Sequence, residues 1–215
     1  MTCTRIQWQF VWAALFCGAA MSISSRAVGF TNNVGLPQFN PSLGNLLSVT
    51  LRYTGMFTGD VGVENADDKF NTIYGVLDGT FEIRDSGNAL VLSLNLQQTG
   101  STVVAEFDGD PDFGGASGYT FGLSTNGVVS FSYTLPAQLL PFIGLGSLSY
   151  AVSAGDQSYG ASGTITPFFT SSLNGSGTLE ITYTTEVIPE PGSLARWAGV
   201  VRDAYRHRTR LRREV

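Results

Sequence analysis

Short runs in which apolar and polar residues alternate constrain this chain more than any other feature. In Leu47–Thr54 every second residue is apolar, and in Leu90–Gln97 every second residue is leucine. The same period returns in Leu179–Tyr183. An alternation of two residues is typical of a strand with one buried face. The pattern predicts half-buried strands in which Leu47 and Leu90 lie on the same face as their alternating partners.

Glycine-containing pairs punctuate these runs. Asp78-Gly79, Asn126-Gly127 and Asn174-Gly175 are of the kind that supplies the positive φ of tight hairpin turns. We therefore predict turns at these pairs and about nine to eleven strands in all. Charged residues are only 13% of the chain, too few for the charged face of long amphipathic helices. The predicted fold is all-β: an antiparallel, jelly-roll-like β-sandwich in a single domain, with a closed barrel as the alternative.

The first 27 residues are typical of an export signal. Arg5 precedes the apolar run Phe10–Met21, and the small-x-small site Ser25-Arg26-Ala27 follows it. The run is too short for a spanning helix of about 20 residues. We predict a signal peptide over residues 1–27 that is cleaved after Ala27, with a buried N-terminal helix as the alternative. The β-sandwich domain is then 28–188, and 189–215 form a C-terminal tail.

The residues missing from the predicted domain exclude most enzyme chemistry. Residues 28–188 contain no cysteine and no histidine, which excludes Ser-His-Asp and Cys-His catalysis and histidine-ligated zinc. No phosphate-binding glycine loop occurs. Residues 27–188 carry fourteen acidic side chains against three basic ones, which disfavours nucleic-acid binding. We therefore predict no enzyme activity and no catalytic residues.

Carboxylates are the one remaining route to catalysis, since glycoside hydrolysis needs only two of them. The candidates are Glu64, Glu106 and Glu180, and we expect Glu180 to lie on a solvated strand face. Sugar-cleaving clefts usually contain stacking aromatic residues, and residues 28–188 contain no tryptophan. A two-carboxylate hydrolase is thus the least favoured hypothesis.

A short acidic segment raises the question of a metal ion. Asp108, Asp110 and Asp112 place three carboxylates at the alternate positions that Ca²⁺ loops use. The segment is not an EF-hand, because Tyr119 stands at the position of the chelating glutamate. The Asp67-Asp68 pair can join this cluster only if the fold brings the two loops together. We expect a solvated acidic turn and no cofactor; weak Ca²⁺ binding is the open hypothesis.

Two segments resemble known families. The opening Leu36–Leu51, with Val63-Glu64-Asn65 downstream, is similar to the choice-of-anchor E domain, and the likeness spans about residues 30–188. That resemblance implies an exported bacterial protein without an assigned catalytic activity. The second segment, Val187–Ser193, resembles the start of a PEP-CTERM sorting signal.

The motif residues that carry the second resemblance are Pro189, Glu190 and Pro191. It implies a Gram-negative bacterium that makes extracellular polysaccharide, and processing by an exosortase. In that family a transmembrane helix follows the motif, whereas here the apolar run Leu194–Val201 is short and Arg196 interrupts it. The tail therefore resembles a sorting signal whose spanning helix has degenerated, with a short interfacial basic helix as the alternative.

Three functions follow in order of preference. The first is an exported surface or extracellular-matrix protein of PEP-CTERM type that touches the membrane only transiently or peripherally. The second is a carbohydrate-binding module for extracellular polysaccharide, with Tyr119, Tyr133 or Tyr159 as stacking platforms. The third is the two-carboxylate hydrolase.

Overall fold

Strands make up most of the part of the chain that the structure describes. The structure is a computed structural model that describes residues 16–25, 29–156, 158–162 and 167–186, with only the backbone described for 16–25. Within these residues, no helix is long and apolar enough to cross a membrane. The elements are β1 (Phe16–Ser25), β2 (Phe30–Pro37), a 3-10 helix (Pro41–Leu43), β3 (Asn45–Glu64), β4 (Asn71–Asp85), β5 (Leu90–Val104), β6 (Gly118–Tyr133), α1 (Pro136–Leu139), a 3-10 helix (Leu140–Phe142), β7 (Ser147–Asp156), β8 (Tyr159–Ser162) and β9 (Phe168–Glu186).

The strands form two antiparallel sheets. One has the order β1-β9-β3-β6; the other has the order β2-β7-β4-β5, with β8 paired to β4. If the short β8 is left aside, the strand order in the two sheets is that of a jelly roll, which consists of two Greek keys. The predicted antiparallel sandwich is thus confirmed, and the closed-barrel alternative is wrong for the described residues.

The glycine pairs predicted as turns lie inside long strands. Gly79 is in the middle of β4, Gly127 in β6 and Gly175 in β9. At Gly79 an added Cβ would collide with the ring of Phe57, which stacks on Phe81 with ring centroids 4.3 Å apart. The turn prediction is therefore wrong at these pairs. The glycine at position 79 is needed because a core aromatic ring packs directly against the backbone.

The predicted alternation holds over most of the three predicted runs but fails at two leucines. Val49, Leu51 and Tyr53 are fully buried, whereas Leu47 is half exposed because the β3–β9 register shifts between Leu46 and Ser48. Leu90 is likewise exposed beside a shift in the β4–β5 register. An extra residue in one strand turns every residue before it to the other face.

The sandwich has two chemically different ends. At the first, which we call the terminal end, the loops 38–44 and 134–146 lie together, and both described ends of the chain reach it. Phe16 pairs there with Thr184, and Asn45 with Glu186. At the opposite end, which we call the acidic end, lie the loops 65–70 and 105–117, which follow β3 and β5.

Candidate functional site

A buried asparagine holds the acidic end together. Asn65, directly after β3, is completely buried. Its side-chain amide donates hydrogen bonds to the carbonyl oxygens of Lys69 (2.8 Å) and Ala105 (2.7 Å), and its side-chain oxygen accepts one from the Asp67 N–H (3.1 Å). Its backbone N–H donates to the Ser117 carbonyl (2.9 Å). One side chain therefore fixes two loops that are about 40 residues apart.

Glu64, the last residue of β3, is an equally buried carboxylate. Its Oε2 accepts a hydrogen bond from the Phe113 N–H (2.8 Å). Its Oε1 is buried without a hydrogen-bond partner among the described residues. A Cβ at Gly118 would collide with Oε2, so glycine is required there by close approach. The Glu64 carboxylate thus helps to hold the 105–117 loop in position and is itself shielded from solvent.

Two of the three aspartates predicted as a Ca²⁺ site accept hydrogen bonds from the backbone of their own loop. Asp108 Oδ1 accepts from the Asp110 N–H (3.1 Å), and Asp112 Oδ1 accepts from the Gly114 N–H (2.8 Å). Such bonds are typical of Asx turns. Among the described residues no three carboxylate, histidine or cysteine side chains are grouped as a metal ion would need. Ca²⁺ binding by these residues stays a prediction.

The fold does bring the Asp67-Asp68 segment beside the acidic loop. The Phe107 N–H donates to the Asp67 carbonyl (2.9 Å), and the Asp68 side chain is exposed near Lys69 (4.0 Å). Together with Glu106 and the three loop aspartates, these residues concentrate negative charge at one end of the molecule.

Glu180, one of the three candidate hydrolase carboxylates, lies far from Glu64. Glu180 forms an ion pair with Arg52 (3.1 Å) on a partly exposed strand face, as expected for a solvated position. Glu64 lies twelve residues along β3 from Arg52, since 64 − 52 = 12, which is about 40 Å of extended strand. Catalytic carboxylates of glycosidases are roughly 5 to 9.5 Å apart. Glu106 is exposed, whereas Glu64 is completely buried.

A cleft of about 420 Å³ opens beside the terminal end. The rings of Tyr133 and Phe142 form part of its wall, with centroids 5.0 Å apart. Burial raises the pKa of Tyr133 and of Tyr150, and the Asp85 carboxylate adds to both shifts. Both phenols are therefore neutral hydrogen-bonding groups at neutral pH. Other lining residues are Asp85, Ser86, Gln138 and Ser147.

Of the three tyrosines predicted as stacking platforms, only Tyr133 lines this cleft. Tyr119 is exposed at the start of β6, edge-on to Phe121 with centroids 4.8 Å apart. Tyr159 is exposed on β8 in the other sheet. The three tyrosines thus form no common platform, and the cleft residues Gln138, Phe142 and Tyr150 were missed because they come from separate segments.

A second, shallower groove of about 360 Å³ lies on the outer face of the β4–β7 pair. It is lined by Asp78, Thr80, Glu82, Ser153 and Asp156, among others. Asp78 accepts a hydrogen bond from Gln97 (3.1 Å), and Glu82 is paired with Arg84 (3.0 Å). These partners hold Asp78 and Glu82 in structural roles, whereas Asp156 Oδ2 is buried without a hydrogen-bond partner among the described residues.

The sorting motif Pro189, Glu190 and Pro191 lies outside the described residues, as does the rest of the tail. The predicted signal peptide is described only over 16–25, where its backbone forms β1.

Comparisons with known proteins give distant similarity only. No family model matches the chain, and no curated protein matches it. A structure of infectious bursal disease virus, Gx strain, is 13% identical, with 88% of this chain and 39% of the viral chain covered and a TM-score of 0.25. The T13 particle of the same virus is 11% identical, with 89% and 47% covered and a TM-score of 0.20. This chain spans less than half of either viral chain, and likeness at these TM-scores carries no argument.

Proposed function

We propose that this chain is an exported, non-enzymatic protein of the surface or extracellular matrix of a Gram-negative bacterium, sorted by a PEP-CTERM and exosortase type of route. The observation that carries the proposal is the position of Pro189-Glu190-Pro191. The motif begins three residues after β9 ends at Glu186, since 189 − 186 = 3. A processing enzyme needs its motif outside the folded domain, and a motif that follows the last described strand in the sequence supports the proposal.

The absence of an assembled active site supports the non-enzymatic part of the proposal. Among the three candidate carboxylates, Glu64 is buried, Glu106 is exposed, and Glu180 forms an ion pair with Arg52. The resemblance to the choice-of-anchor E domain agrees, since it implies no catalytic activity.

Export has a structural consequence. Cleavage after Ala27 removes β1, which occupies the edge of β9 from Gly175 to Thr184. The exported chain then has β9 as an edge strand, with the backbone groups that faced β1 open to solvent or to another strand.

Export and sorting are tested separately on one preparation. Protein recovered outside the cytoplasm of a host with an exosortase should begin near Val28. Its intact mass should be lower than the mass of residues 28–215, because processing removes part of the tail. In a host without exosortase the mass should correspond to 28–215. The variant Glu190→Ala should behave as if exosortase were missing, whereas Glu186→Ala, an acidic residue outside the motif, should be processed normally.

Each outcome has its own meaning. A chain that starts at Met1 in the cytoplasm contradicts export. A normal start near Val28 with equal masses in both hosts leaves export standing and contradicts the sorting route.

A second candidate, carbohydrate binding, is favoured by the cleft beside the terminal end. Aromatic rings next to neutral hydrogen-bonding groups suit a sugar, which presents apolar faces and hydroxyls. A glycan array with wild-type protein should give hits among extracellular polysaccharides that Tyr133→Ala abolishes and Tyr159→Ala preserves. A blank array, or hits that survive Tyr133→Ala, contradicts binding at this cleft.

A further inference from the structure

The terminal end exposes aliphatic side chains that a soluble surface usually avoids. Leu140 is 68% exposed and Leu145 is 84% exposed. Four neighbours at this end are also exposed by a third or more of their surface: Leu43, Leu47, Leu135 and Ile143. Residues 38–47 and 134–149 contain no charged side chain. An apolar patch without charge is a typical sign of an interaction surface.

Buried anchors hold these leucines in place. The Phe39 N–H donates to the Phe142 carbonyl (2.7 Å), and the Gly144 N–H donates to the Phe39 carbonyl (2.9 Å). Gln38 bridges the same two loops, donating to the Pro141 carbonyl (2.9 Å) and accepting from the Gly146 N–H (3.1 Å). The rings of Phe39 and Phe142 are buried below. The patch is therefore preformed, and little ordering cost remains for binding.

The chain and its charges identify the occupant. The last described residue, Glu186, is at the terminal end, and the tail that continues from there carries seven arginines against three acids from residue 189 onward. Asp67, Asp108 and the other loop carboxylates lie at the far end of the sandwich. An anionic lipid surface attracts the arginines, accepts the leucines and repels the acidic end. All three effects orient the molecule the same way.

We propose that the terminal end is a membrane-docking surface for the interface of an anionic lipid bilayer. Leu140 and Leu145 enter the boundary between headgroups and acyl chains, and the positive charge of the tail adds electrostatic attraction to anionic headgroups. The inference goes beyond the proposed function, because it requires no cleavage after Ala27. It applies to the chain before processing at the sorting motif, since that processing removes arginines of the tail.

The test measures co-sedimentation of the full chain with vesicles of phosphatidylcholine mixed with phosphatidylglycerol. The wild type should bind these vesicles and bind pure phosphatidylcholine vesicles more weakly. The double variant Leu140→Ser/Leu145→Ser should lose roughly 100-fold in partitioning, because two apolar side chains no longer leave water. The matched control is Val103→Ser/Val128→Ser, at positions 68% and 51% exposed but away from the terminal end, and it should bind like the wild type. Thermal unfolding of all three proteins checks that each is folded.

Three results overturn the proposal. The first is a wild type that ignores the mixed vesicles. The second is a leucine variant that binds as well as the wild type, since the arginines alone then explain binding. The third is a wild type that forms a dimer which Leu140→Ser/Leu145→Ser dissociates while vesicle binding is absent, since a second copy then covers the patch.

Discussion

The two ends of the sandwich are made by loops at opposite ends of β3 and β6, and they differ in chemistry. The loop 134–146 at the terminal end is uncharged and exposes aliphatic side chains, whereas the loops 65–70 and 105–117 at the acidic end carry six carboxylates and one lysine. The comparison teaches that loops set the polarity of the molecule and that the jelly roll keeps the two ends apart.

The ends also differ in what holds them. At the terminal end, buried rings such as Phe39 and Phe142 anchor the loops, so the hydrophobic effect dominates. At the acidic end, the anchors are the buried polar residues Glu64 and Asn65, so hydrogen bonds dominate. Substitutions at the two ends should therefore destabilise the protein in different ways.

The largest effect is expected at the terminal-end anchor. Phe39→Ala removes a buried ring that packs on Tyr183 with centroids 5.7 Å apart, and it should lower the free energy of unfolding by about 3 to 5 kcal/mol. Urea denaturation measures the change. Phe70→Ala is the control, because Phe70 is largely exposed and should cost almost nothing. Equal losses in both variants would contradict the assignment of Phe39 as an anchor.

A somewhat smaller loss is expected at the acidic end. Asn65→Ala removes three side-chain hydrogen bonds and takes the amide donor away from the part-buried carbonyl groups of Lys69 and Ala105. The expected cost is about 3 kcal/mol in the free energy of unfolding, with faster hydrogen exchange confined to residues 65–70 and 105–117. Asn126→Ala, at an exposed position, is the matched control. Faster exchange spread over the whole sandwich would show that Asn65 does not act locally.

Alkaline pH should affect the cleft side of the terminal end but not the acidic end. Burial favours the neutral phenol of Tyr150, so its pKa in the folded state is raised above the unfolded value of about 10. Stability is fully present below pH 10 and is lost as the pH rises further, because the unfolded chain ionises first. Tyr150→Phe should reduce this loss in urea titrations at several pH values. If the pH profile of the variant is unchanged, the loss of stability at alkaline pH comes from another buried phenol, for example that of Tyr53.

The smallest effect is expected from Ca²⁺ at the acidic end. Because Asp108 and Asp112 accept hydrogen bonds from the backbone of their own loop, millimolar Ca²⁺ should raise the Tm by at most about 4 °C. Asp110→Ala should abolish whatever gain occurs. A larger rise, or one that survives Asp110→Ala, would contradict a weak site in this loop.

Strands were predictable from the sequence because a two-residue period is a local property, as the buried Val49 and Leu51 illustrate. The exposure of Leu47 was not, because a register shift depends on the partner strand. The glycine at position 79 was misread for the same reason, since only the fold reveals the Phe57 ring against it. An apolar run such as Phe16–Met21 suits both an export signal and a strand, so composition alone does not distinguish them.

The candidate sites divide in the same way. Glu64-Asn65 is visible in the sequence as a pair, yet its role depends on Ala105 and Phe113, which only the topology brings near. The cleft at Tyr133 is assembled from separate segments and leaves no local pattern. The absence of charge from residues 134–149, in contrast, is visible in the sequence. Only the structure shows that leucines of this segment are exposed, and that exposure is the reason to propose a docking surface.

The most direct test of the difference between the two ends measures their depth in a bilayer. Cys3 and Cys17 are the only cysteines in the chain, so replacing both with serine allows a single polarity-sensitive fluorophore to be attached at Leu145→Cys or, in a second protein, at Asp110→Cys. With vesicles of phosphatidylcholine and phosphatidylglycerol, the emission of the label at 145 should shift to shorter wavelength, and the label at 110 should keep its emission in water. A shift at 110, or none at 145 while the protein is bound, would contradict an orientation with the terminal end on the membrane.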